Sequence, residues 1–113
     1  MLSIYQGSTL NLTITIEGAD EQPYLLQTGD KMRFGVKYIE NGGSYLIYKE
    51  LTSSDEVDGE YPLELTPEDT DISPRRYYYD VSLQLADGSL YYIVPVDYFI
   101  VKKSVTHKGD SAS

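Results

Sequence analysis

The feature that most constrains this chain is a strict alternation of apolar and polar residues near its N-terminus. In segment 9–16 every second residue is aliphatic, and the residues between are Thr or Asn. A period of two places the apolar side chains on one face of an extended strand, whereas a helix would scatter them around its axis. The pattern predicts a half-buried β-strand whose core-facing residues are Leu10, Leu12, Ile14 and Ile16.

Short alternating segments of this kind recur along the whole chain, separated by turn-forming residues. Asn41-Gly42-Gly43 and Asp87-Gly88 are typical hairpin turns. The capping-box pattern at 66–69, with Pro74 soon after it, leaves room for at most one short helical turn near 67–71. Seven to eight short strands with turns about every 8–12 residues are typical of an all-β sandwich or a small barrel.

Tyrosine dominates the aromatic composition of the chain. There are 12 Tyr against 2 Phe and no Trp. A tyrosine packs its ring on a pleated sheet while its hydroxyl stays in water, so this bias favours half-buried sheet surfaces. Tyrosine also supplies contact area at a low cost in conformational entropy, as it does in binding loops.

Charge and cysteine content exclude several classes of protein. The formal net charge is −9, and the nine Lys and Arg residues are scattered along the chain. We therefore expect no nucleic-acid binding, because phosphate contacts would oppose the protein's own field. The lack of Cys excludes disulfides and thiolate metal sites. No apolar run approaches the roughly 20 residues of a membrane span, so no membrane insertion is expected.

Catalytic side chains are sparse. The single histidine, His107, lies in the polar segment 107–113, which is predicted to be a flexible tail that cannot hold a general base in place. Two acidic clusters occur in loops, where solvation is a simpler interpretation than a Ca²⁺ site. We expect no enzyme activity, no cofactor and no metal ion. The clusters are Asp55, Glu56, Asp58 and Glu60, and Glu68, Asp69 and Asp71.

Three segments follow an N-terminal strand that ends in Gly7-Ser8-Thr9. They are a strand that runs into a short turn (63–70), a strand led by tyrosine (77–83), and a chain end in which 99–101 is followed by 104–106. In this order they resemble small Ig-like domains of bacteriophage tail and baseplate proteins, with the N-terminal domain of phage baseplate upper proteins as the most similar type. The resemblance covers most of residues 4–106. Arg75 departs from it, since the family usually has Gly at that place.

The resemblance implies an antiparallel Ig-like β-sandwich, formed by a single domain over residues 1–106. It also implies a non-enzymatic structural or adaptor protein of a phage or prophage tail or baseplate. Its partners would be other tail proteins, further copies of the chain in a homo-oligomer, or both. The protein would be made in the bacterial cytoplasm and reside in the virion tail. Tyr77 would be a tyrosine corner that bonds to the backbone near 71–74, with a plain core aromatic as the alternative.

Alternation also predicts which tyrosines point outward. Tyr78 points away from the core on its strand, and one of Tyr91 and Tyr92 does so on the next strand. Outward tyrosines could contact a protein, stack on sugar rings, or form ordinary cross-strand pairs on a solvated sheet. A carbohydrate- or cell-surface-binding module is therefore the alternative function. Tyr45 or Tyr48 is expected to join this set, and the candidate partner contacts are Tyr78, Tyr91, Tyr92, Arg75 and Arg76.

Overall fold

The structure is a computed structural model that describes residues 1–18, 20–40 and 43–105. It is built almost entirely of β-strands, as the alternation predicts, with one short 3₁₀ helix at Ser53–Asp55. The predicted tail at 107–113 lies outside the described residues. The seven strands are β1 (Leu2–Tyr5), β2 (Leu10–Ile14), β3 (Lys31–Lys37), β4 (Tyr45–Leu51), β5 (Tyr61–Leu65), β6 (Arg75–Gln84) and β7 (Leu90–Lys102).

The strands form two sheets. A curled five-stranded sheet has the order β1-β7-β6-β3-β4, and a two-stranded sheet pairs β2 with β5. The predicted antiparallel arrangement does not hold at one edge, because β1 runs parallel to β7 and the sheet is mixed. These two strands come from opposite ends of the chain, so no short connection forces them to be antiparallel. The remaining pairs are antiparallel.

One hydrophobic core receives side chains from both sheets. On β6 the residues with odd numbers from 77 to 83 are buried, so the even-numbered ones face outward. On β5, Tyr61, Leu63 and Leu65 are buried. Phe34 and Phe99 meet edge to face in this core, with ring centroids 6.4 Å apart. This alternation fixes which side of each strand is available to solvent or to a partner.

Pro95 does not end the seventh strand. A proline at this place predicts either a separate last strand at 98–101 or a bent extension of the strand before it, and β7 continues for 13 residues as one strand. Two register shifts against β6 absorb the proline, and the first places Pro95 and Val96 opposite Asp80. A bulge leaves its extra residues unpaired, so the missing N–H of Pro95 costs no ladder hydrogen bond.

The turn between β5 and β6 adopts the predicted capping box. The Thr66 N–H donates to Oδ2 of Asp69 at 2.8 Å, and the Asp69 N–H donates to Oγ1 of Thr66 at 3.2 Å. The Thr70 N–H bonds to the Thr66 carbonyl at 3.2 Å, which makes one helical turn near the predicted place. The prediction of at most one helical turn is wrong, because a 3₁₀ helix also forms at Ser53–Asp55, where Thr52 and Asp55 repeat the spacing of Thr66 and Asp69.

Tyr77 makes the bond expected of a tyrosine corner. Its hydroxyl donates to the carbonyl of Ser73 at 2.6 Å while its ring is buried in the core. This bond holds the start of β6 against the turn that precedes it. In the part of the chain that the structure describes, no helix is long and apolar enough to cross a membrane.

Candidate functional site

The outer side of the five-stranded sheet carries a row of tyrosines. Strand register sets this arrangement, because Tyr78 on β6 lies opposite Tyr98 on β7 and opposite Lys37 on β3, and Lys37 lies opposite Tyr45 on β4. We define the tyrosine face as the outward-facing residues of this sheet. Its tyrosines are Tyr5, Tyr45, Tyr48, Tyr78, Tyr92 and Tyr98.

The centre of the tyrosine face is a pair of rings capped by a cation. The rings of Tyr78 and Tyr98 have centroids 5.7 Å apart and are tilted by 52°. The guanidinium carbon of Arg76 lies 4.5 Å from the Tyr98 centroid, within range of a cation–π interaction. Tyr98 remains exposed and Tyr78 half-buried. The cluster thus combines rigid aromatic area with a charge that still reaches solvent.

A second ring pair lies at the β4 edge. Tyr45 and Tyr48 have ring centroids 4.9 Å apart, and Nζ of Lys37 lies 4.6 Å from the Tyr45 centroid. Gly35 on the neighbouring strand provides the space for this ring, because a Cβ there would overlap Cε1 of Tyr45. The glycine therefore lets the Tyr45 ring lie flat on the sheet surface.

The tyrosine face is basic, although the chain as a whole is acidic. The outward-facing positions of its strands carry five cations against two carboxylates, Glu50 and Asp80, in a chain of formal net charge −9. A third carboxylate, Glu40 of the loop after β3, lines a depression of this face beside Lys37. Lys31 lies 3.7 Å from Glu50. Within residues 1–18, 20–40 and 43–105, the other four cations have no carboxylate within 4.0 Å; they are Arg33, Lys37, Arg76 and Lys102.

Asp80 lies in a small depression of this face beside Lys37 and Tyr78. Partial burial raises the pKa of its carboxyl, and the positive charge of Lys37 acts in the opposite direction. Asp80 and Lys37 therefore act on each other's charge within this face.

The predicted partner contacts fall on two different sides of the molecule. Tyr78, Tyr92 and Arg76 lie on the tyrosine face. Tyr91 lies on the core-facing side, opposite Leu83, where it lines an apolar groove. Both Tyr91 and Tyr92 are exposed, at 54% and 59%.

Arg75 is separated from Arg76 by the strand pleat. Its guanidinium carbon lies 3.7 Å from the Tyr38 ring centroid and 5.5 Å from that of Tyr77. Both arginines remain candidate partner contacts, on two different sides of β6. Adjacent residues of a strand point to opposite faces, so Arg75 packs beside the tyrosine corner instead.

One residue of each predicted acidic cluster stabilises the structure around it. Oδ2 of Asp55 accepts the Thr52 N–H at 2.8 Å at the start of the 3₁₀ helix. Asp69 forms an ion pair with Lys49 at 2.8 Å. Burial acts to raise the pKa of Asp69, but the bonds from Lys49 and Thr66 outweigh it and lower the pKa. Among the described residues, no group of three or more His, Asp or Glu is placed to bind a metal ion.

Sequence reasoning missed the most buried carboxylate, Asp30. It accepts hydrogen bonds from the Tyr24 hydroxyl at 2.7 Å and from the backbone N–H groups of Gln27 and Ala86 at 2.8 and 2.9 Å. Burial acts to raise its pKa, but these bonds prevail and lower it. The bond to Asp30 and burial raise the pKa of Tyr24 to about 12. Asp30 therefore joins the loop at Gln27 to the loop at Ala86. The sequence feature that could have pointed to it is the Gly29-Asp30 turn before β3.

Comparison of the chain with protein-family models, with curated proteins and with solved structures finds no match.

Proposed function

We propose that this chain is a non-enzymatic structural or adaptor protein of a phage or prophage tail or baseplate, and that it acts through protein–protein assembly. The observation that carries the proposal is the tyrosine face. An exposed sheet surface with six tyrosines and five cations on its strands has the composition of a contact surface, since Tyr and Arg are enriched among the residues that dominate binding energy.

We propose as well that the two sheets pack against each other as an Ig-like sandwich. The sheet β1-β7-β6-β3-β4 forms one layer and the sheet β2-β5 forms the other. The shared core supports this arrangement, since Tyr61 and Leu65 of one sheet are buried together with Phe34 and Phe99 of the other. The bond from Tyr77 to the Ser73 carbonyl supports it as well, because sandwich domains use a tyrosine corner at this type of crossover.

Contact with a protein is a better explanation of the face than simple solvation. Cross-strand tyrosine pairs on a solvated sheet need no unpaired cations around them. Here Arg76 and Lys37 each lie over a tyrosine ring and have no carboxylate within 4.0 Å among the described residues. A partner that brings hydrogen-bond acceptors and carboxylates would use both the rings and the charges.

The test is binding to the products of the neighbouring tail genes, each co-expressed with the full chain. The variant Tyr92→Ala/Tyr98→Ala is expected to raise the Kd of such a complex by about 30-fold, the scale of a hot spot of two kcal/mol or more. Tyr91→Ala is the matched control, because Tyr91 is as exposed as Tyr92 but lies on the other side of β7. We expect it to change the Kd by less than about threefold.

Two results would contradict the proposal. The first is the absence of a complex both with any tail-gene product and between copies of the chain itself. The second is an equal loss of binding in the variant and in its Tyr91 control. If the chain instead bound glycans, and Tyr78→Ala or Tyr92→Ala abolished that binding, the carbohydrate-binding alternative would replace it.

A further inference from the structure

A groove at one end of the two-stranded sheet is lined by carboxylate side chains. It has a volume of about 430 Å³ and lies between the segment that follows β2 and the turn that precedes β5. We define it as the acidic groove. Its floor includes Ile16 and Pro23, and its carboxylates are Glu17, Glu21, Asp58 and Glu60.

The carboxylates of the acidic groove are not neutralised within the protein. In the part of the chain that the structure describes, none of the four has a cationic side chain within 4.0 Å. The tyrosine face has the opposite character, with four unpaired cations among its rings. One chain thus carries two surfaces of complementary charge, each with apolar area beside the charges.

We infer that the partner of the tyrosine face is the acidic groove of a second copy of this chain, in a head-to-tail contact. The inference rests on the proposed function, because it names the partner of the same face. Arg76 and Lys37 would meet the groove carboxylates, and tyrosine hydroxyls would donate to those oxygens. The apolar groove floor would cover part of the ring surface of Tyr98.

The tyrosine face and the acidic groove of one copy cannot contact each other. The tyrosine face points away from the core, whereas the acidic groove belongs to the sheet on the core side of the molecule. A symmetric face-to-face dimer is disfavoured, because it would bring together two surfaces with the same excess of cations. The contact is therefore between two different surfaces, and repetition of it gives a ring or an open chain of copies.

The first test is the mass of the full chain by light scattering and sedimentation at low and high salt. We expect masses above that of one chain at about 50 mM NaCl and at least a tenfold weaker association at about 500 mM, since exposed charges are screened. Arg76→Glu and Glu21→Lys should each weaken the association by about tenfold or more. The matched controls are Lys103→Glu and Glu64→Lys, which make the same charge changes at exposed positions off both surfaces.

The second test uses complementation. The variant Lys37→Gln/Arg76→Gln keeps an intact groove, and Glu21→Gln/Glu60→Gln keeps an intact face; both changes neutralise charge, so the two altered surfaces do not attract each other. Each variant alone is expected to be monomeric, and an equimolar mixture is expected to form a one-to-one dimer that does not grow. A symmetric face-to-face interface does not predict this result, because the variant with the altered face would lack half of every such contact.

Failure of this inference can be told apart from failure of the proposed function. A wild-type chain that is monomeric at low salt overturns the second copy as partner, as does a mixture that stays monomeric. If that same monomer binds a tail-gene product through Tyr92 and Tyr98, the proposed function stands. If it binds none, both are overturned.

Discussion

Asp30 allows the loop packing of this protein to be tested with one substitution. Asp30 is only 3% exposed, and its carboxylate accepts three hydrogen bonds, two of them from the backbone N–H groups of Gln27 and Ala86. Asp30→Ala removes the acceptor of both backbone bonds, which are partly buried. The Tyr24 hydroxyl, which belongs to a half-buried side chain, can turn towards water.

The expected loss of stability follows from these contacts. A hydrogen bond to a charged group contributes about 1.5–3 kcal/mol, and these two are partly buried, so their loss should lower the free energy of unfolding by about 3 kcal/mol. Asp30→Asn keeps one acceptor oxygen and should cost about 2 kcal/mol. Urea unfolding at pH 7, followed by far-UV circular dichroism, measures both values. Asp71→Ala, at an exposed position, is the control.

The pH dependence gives a second readout of the same site. The folded-state pKa of Asp30 is lowered below 3.8, so its contribution is complete above the unfolded pKa and is lost as pH falls through the folded pKa. The difference in stability between wild type and Asp30→Asn should therefore shrink between about pH 5 and pH 2. An Asp30→Ala protein within about 0.5 kcal/mol of wild type, or a difference independent of pH, would refute the reasoning.

Three further changes test other contacts. Tyr77→Phe removes the bond to Ser73 and should lower the free energy of unfolding by about 1 kcal/mol in urea titrations; an unchanged midpoint would contradict the tyrosine corner. Gly35→Ala should displace the exposed Tyr45 ring, with a change in near-UV circular dichroism and a loss of stability below about 1.5 kcal/mol, and a larger loss would mean that the ring cannot move. Asp69→Asn should cost about 1 kcal/mol at pH 7 by loss of the Lys49 ion pair. That difference should vanish below the lowered pKa of Asp69, and its persistence there would show that the charge is not the cause.

Local patterns were sufficient to predict the strands, because side-chain alternation is a property of consecutive residues. The buried faces of β2 and β6 follow from it, and so does the capping box at Thr66–Asp69. The parallel pairing of β1 with β7 could not be predicted in this way. It joins residues almost a hundred positions apart, and no local pattern encodes which strands become neighbours.

The candidate site was predictable only in part, for the same reason. Alternation placed Tyr78 outward, and the structure also places Tyr92 on that side. Tyr98 could not be assigned to a face, because the two register shifts around Pro95 interrupt the alternation along β7. The space that Gly35 leaves for the Tyr45 ring could not be predicted either, because the two residues are on neighbouring strands and are distant in sequence.

The sequence by itself determined that the chain is built of short strands, that tyrosine is its main aromatic residue and that its net charge is strongly negative. Only the tertiary structure decided where the charge lies. Cations that are scattered along the chain converge on one side of the five-stranded sheet, and carboxylates from two separate turns converge on one groove. The physical reason is that pairing of distant strands, rather than distance along the chain, sets which charges become neighbours.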